Sequence, residues 1–127
     1  MALKVTSWPQ GLSHRVAYQD NATTTASNHI SGTSGRFYSI IIDNSQGTDE
    51  CFLKVSDADS VTPGTTEPDW RLRCGSGKTE TWSIPKGMAF DSGLSFWLTR
   101  NEASTDMTSP AVATNGTVKV TVLVSSS

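Results

Sequence analysis

The end of the chain sets the strongest constraint on its fold. From Thr117 to Val124, valines stand at 118, 120, 122 and 124, and Lys119 and Thr121 fall between them. A repeat of two places alternate side chains on opposite faces of an extended strand, so this stretch reads as a half-buried β-strand. The pattern recurs where Cys51, Leu53 and Val55 alternate with Phe52, Lys54 and Ser56, and where Trp70, Leu72 and Cys74 alternate with Arg71 and Arg73. Shorter stretches carry the same signature: 3–8, 14–18, the β-branched and aromatic stretch 36–42, 79–84, and 94–100. Composition agrees. Ser and Thr together supply 35 of 127 residues, whereas Lys, Glu, Gln and Leu number only 5, 4, 3 and 7, which excludes a helical bundle or coiled coil. Four Trp, four Phe and a net charge of −2 exclude a disordered chain.

Turn signals separate these stretches. Asp43-Asn44-Ser45-Gln46-Gly47 ends the third, Pro63-Gly64 marks a turn in the loop 57–68, and Gly75-Ser76-Gly77 reads as a hairpin turn. Pro85 is expected to close the strand 79–84, leaving 85–93 as a connection across the end of a sheet. Residues 101–116 read as a polar loop. About seven or eight strands result, the pattern of an all-β antiparallel β-sandwich of jelly-roll or immunoglobulin-like type. The expected organisation is a sandwich core over 36–124, N-terminal strands followed by a Ser/Thr-rich arm or long loop within 1–35, and a frayed tail at 125–127. The stretch 20–35 has almost nothing apolar to bury, so a surface loop or an arm ordered by a neighbour is expected there.

No motif points to catalysis. Cys74-Gly-Ser-Gly-Lys-Thr79 ends like a phosphate-binding loop, but Leu72 stands where the first glycine is needed and a strand follows instead of a helix. His14 and His29 lack an evident nucleophile and orienting carboxylate, and Asp57-Ala-Asp59 lacks the later ligands of a calcium loop. No cofactor and no metal site are expected, and the ten basic residues are too scattered for nucleic-acid binding. No apolar stretch approaches a membrane span or a signal-peptide core, so synthesis and retention in a cytoplasm are expected. Cys51 and Cys74 fall on inward faces and read as buried thiols that an assembled particle could oxidise. Phe52, Arg71 and Arg73 are candidates for an exposed face that a partner covers. Asn21, Thr24 and His29 are candidates for contacts made by the N-terminal arm.

The segment 37–124 resembles small virion proteins of tailed bacteriophages. The resemblance rests on Pro63-Gly-Thr-Thr-Glu-Pro68, on Trp82-Ser-Ile-Pro-Lys-Gly-Met-Ala-Phe90, on Ser92-Gly-Leu-Ser-Phe-Trp-Leu-Thr99, and on the loop 103–113 before a valine-rich last strand. It implies a non-enzymatic β-sandwich on the particle, above all a head decoration or capsid cement protein at the capsid surface. Its partners would be the major capsid protein and further copies of itself, as a dimer or trimer. A neck, tail or fibre component is the neighbouring expectation. A carbohydrate- or receptor-binding module is the expectation from a different class, prompted by the tryptophans.

Overall fold

A computed structural model of the chain describes residues 3–7, 14–28, 30 and 34–126. Among the described residues there are eight strands and no helix: β1 (Leu3–Ser7), β2 (His14–Gln19), β3 (Gly35–Asp43), β4 (Cys51–Ser56), β5 (Trp70–Cys74), β6 (Thr79–Phe90), β7 (Ser95–Thr99) and β8 (Lys119–Ser126). All pairings are antiparallel. They build a five-stranded sheet in the order β1-β2-β8-β3-β6 and a three-stranded sheet in the order β5-β4-β7, the two layers of a β-sandwich.

The alternation in the sequence is what closes the layers on each other. Val118, Val120, Val122 and Val124 turn inward from the β8 side, beside Phe37, Ile40 and Ile42 of β3 and Ala17 of β2. Cys51, Leu53 and Val55 of β4 and Phe96 and Leu98 of β7 face them from the smaller sheet. Each such Val, Leu, Ile or Phe contributes about 1.5–3 kcal/mol relative to an exposed position, so these inner faces dominate the stability. Asn44 locks one end of the sandwich. It is fully buried, its Nδ2 donates to the carbonyls of Asp49 (2.9 Å) and Gly75 (3.0 Å), and its backbone N–H donates to Lys78.

Several expectations need correction. The Gly75-Ser76-Gly77 turn is not a hairpin: β5 and β6 lie in different sheets, so the turn carries the chain from one layer to the other. The strand beginning at Thr79 does not stop at Pro85 but runs to Phe90. Proline is tolerated because β6 is an edge strand, with no ladder partner on its outer side among the described residues. It also sits in a bulge. Phe37 pairs with Met88 and Ser39 with Ser83, so residues 84–87 of β6 span a single residue, Tyr38, of β3. Of the loop and the arm expected over 20–35, residues 20–28 and 30 form the loop, a strap on their own domain. Ser27 pairs with Phe96, Leu98 N–H donates to Thr23, and Ile30 N–H donates to Leu94, which lays the strap along the free edge of β7. Hydrogen bonds to an existing edge replace the apolar burial that its composition lacks, and Ala22 and Ile30 are buried nevertheless. β1 and β2 extend the same sheet as β3 and β8, so the N-terminal strands belong to the sandwich. Nor is Ser125 frayed: it is a buried residue of β8.

Gly87 holds the bulge at φ 76°, and a Cβ there would lie 2.8 Å from Tyr38 Cε1 and 2.9 Å from Arg36 Cβ. Gly87→Ala is expected to lower the unfolding free energy by about 1–3 kcal/mol, read as a lower urea midpoint at unchanged slope.

Cys51 and Cys74 are directly opposed across β4 and β5, both buried as free thiols. Burial, followed by the neighbouring Cys74 thiol, pushes Cys51 from its ordinary 9.0 up to about 12. Above pH 9 the unfolded thiol ionises while the folded one retains its proton. The stability it contributes is thus complete below pH 9 and is lost as pH rises towards 12. Denaturant titrations over that range should show falling stability, at most about 1.4 kcal/mol per pH unit from this group, and Cys51→Ala should flatten the slope.

Candidate interaction surface

The residues singled out for partner contact do not form one patch. Phe52, Arg71 and Arg73 belong to β4 and β5, whereas Asn21 and Thr24 belong to the strap beside β7, at the opposite edge of the three-stranded sheet. His29 lies outside the described residues. Phe52 is half-buried, as are Asn21 and Thr24. Arg71 Nη2 is bound to Glu67 and donates to Ser104 Oγ at 2.7 Å. Arg73 Nε is bound to Glu50 at 2.6 Å. Bonds from the Ser104 hydroxyl and from Arg71 hold the Glu67 carboxyl below the usual carboxylate range.

These bonds pin a roof. The outer face of the three-stranded sheet carries Lys54 and Trp97, directly opposed and both fully buried. Two loops of the same chain cover them. Gly64 of the loop 57–69 approaches Met107 of the loop 100–118, and Glu67 accepts from Ser104 across the seam. The second loop is anchored at its far end by the Gly47–Val112 bridge and by Thr48 N–H donating to Ala111. Lys54 Nζ donates to the Ala103 carbonyl, and burial pushes its pKa down despite Asp106, Glu102 and Glu67 nearby. The roof thus covers Lys54 and Trp97, while Arg71 and Arg73 remain exposed and Phe52 half-buried beside it.

The uncovered surface lies at the side of the sandwich. The strap completes the smaller sheet next to β7, but nothing among the described residues extends it beyond β5. β5 packs over β3, where Phe37 and Trp70 meet edge to face with ring centroids 5.1 Å apart. The inner face of β6, one strand further out, overhangs. Trp70, Leu72, Trp82 and Ile84 are consequently only partly buried, and Met88 is 38% exposed. With Phe37 and Ile40 they line an apolar cavity of about 140 Å³ whose sole polar lining residue is Ser83. The free edges of β5 and β6 flank this groove.

Comparison with protein-family models, with curated proteins and with solved structures gives no match for this chain.

Neither Trp82, Ile84 nor Met88 was expected at a surface site. Trp82 and Ile84 read only as part of the strand 79–84, and Met88 as part of a connection. The signal present in the sequence was Pro85, whose best-tolerated place within a sheet is an edge. Acrylamide quenching offers a check. Trp82→Phe should reduce the quenchable share of the fluorescence, and Trp97→Phe should raise it, because Trp97 lies under the roof.

Proposed function

We propose that the chain is a non-enzymatic structural protein of a tailed-phage virion, a decoration or cement protein that bridges neighbouring capsid subunits. One observation carries the reading in the molecule itself: an apolar groove between the free edges of β5 and β6, left open on a chain that covers the β7 edge and the outer face of the three-stranded sheet with its own strap and loops. Proteins that work alone rarely leave a sandwich open along one side, since unpaired edges invite association. A component that docks repeatedly on a lattice gains from such a side, because modest contacts add up when several copies engage one surface. The virion setting comes from the resemblance of 37–124, whose motif residues have structural places here. Gly64 turns at φ 86°, Gly87 holds the bulge, and Leu94, Phe96 and Leu98 fill the core. The groove suits sugars poorly, as glycan recognition relies on several polar groups beside an aromatic platform, and Ser83 alone is polar here.

Quantitative mass spectrometry of purified particles tests the proposal. A decoration protein is expected on the order of hundreds of copies per virion, as multivalent coverage of a shell requires. A copy number near a dozen would move the chain to the neck or tail. Its absence from particles would overturn the proposal.

A further inference from the structure

The groove lies where one more strand of the smaller sheet would stand. The larger sheet has five strands, and the smaller one, with the strap beyond β7, stops at β5. One more strand hydrogen-bonded to the free edge of β5 would lie above β6 and cover Trp82, Ile84 and Met88. Its alternate side chains would point into the cavity, and the intervening ones would stand beside Arg71 and Arg73 on the outer face.

Charge distinguishes between the possible donors of that strand. Residues 70–90, which make up β5, β6 and the turn between them, contain Arg71, Arg73, Lys78 and Lys86 against Glu80 alone, in a chain whose net charge is −2. Two copies of the chain joined through β5 would pair antiparallel about Leu72, setting Arg71 of each copy against Arg73 of the other. Like charges directly opposed destabilise a strand pair. The same arginines favour a strand with carboxylates at those positions. Glu50 does not bar it, since its exposed pair with Arg73 is weak and exchanges partners easily, and Arg71 can meet the added strand while it keeps its bonds to Glu67 and Ser104, a guanidinium having five N–H donors.

We infer that the β5 edge accepts an extended segment of another protein in which apolar residues alternate with Asp or Glu, the apolar ones entering the groove between Trp70, Trp82 and Met88. This rests on the docking role proposed above and names the chemistry of the partner, to be found on the capsid surface if the virion reading holds.

The test uses the full chain and two synthetic peptides: acetyl-Thr-Glu-Val-Glu-Leu-Glu-Val-Thr-amide and its counterpart with Lys for every Glu. Binding is followed by tryptophan emission and by amide chemical shifts. The acidic peptide is expected to bind saturably, to shift the emission to the blue, and to perturb β5 and β6 amides. The lysine peptide should bind about tenfold more weakly. The double variant Arg71→Glu/Arg73→Glu should reverse that preference, and Met88→Asp, which leaves β5 untouched, should weaken both peptides. Near-ultraviolet circular dichroism verifies that each variant is folded. The inference is overturned by no binding up to millimolar peptide, by equal binding of the two peptides, or by a dimer that forms through β5. Particle copy number is independent of all these outcomes. A chain abundant on virions whose Arg71→Glu/Arg73→Glu form attaches as well as the original would refute the strand docking and leave the virion reading standing.

Discussion

A sheet of five strands spaced about 4.8 Å apart is wider than a sheet of three can cover. This mismatch organises the molecule. The inner face of the larger sheet is apolar across β2, β8, β3 and β6, so every strand left uncovered exposes core side chains. At the β7 edge the chain meets the demand with the strap, a polar segment held chiefly by main-chain bonds to Phe96, Leu98 and Leu94. At the β5 edge nothing similar is present among the described residues, and Trp70, Leu72, Trp82 and Ile84 are left half-buried. The groove follows from strand count and order rather than from any single residue.

Much of the fold was legible because the core strands carry a clean two-residue repeat. β4, β5, β7 and β8 lie where alternation or apolar density placed them, and Cys51 and Cys74 share the inward faces expected of them. Three features were hidden for physical reasons. A Gly-Ser-Gly turn has the same local chemistry whether it joins paired strands or changes layers, and only the pairing of β6 with β3 decides between them. Pro85 ends a strand by default, and its tolerance depends on β6 being outermost, a property of the sheet and not of the segment. The strap looked unable to order itself because its stabilisation is bonding to an edge formed some seventy residues later, which leaves no mark in its own hydrophobicity.

The candidate surface was legible in part. Arg71 and Arg73 do flank it, but they face the outer side and hold Glu67 and Glu50, while the apolar lining comes from residues that looked like plain core. Lys54 gave the opposite impression, a strand lysine expected to stand in solvent. The roof of loops 57–69 and 100–118 buries it completely. Residues in a two-residue repeat can be assigned to one face or the other from sequence, but whether a face is then covered depends on loops whose course is set by distant bonds such as Gly47 to Val112.

The pairing of β2 with β8 has a consequence for how the molecule comes into being. β2 begins at His14 and its neighbour β8 ends at Ser126, so the ladder joins the second strand to the last of the described ones. A ribosome exposes its product from the N-terminus, and β1 and β2 emerge long before the residues they need exist. A lone two-stranded hairpin is at best marginally stable in water, so these strands wait uncompleted until β8 has been made. The larger sheet then closes in one late event, after loop entropy over nearly the whole chain has been overcome. Truncation at the C-terminus would remove the strand that joins β2 to β3 and split the larger sheet through its middle.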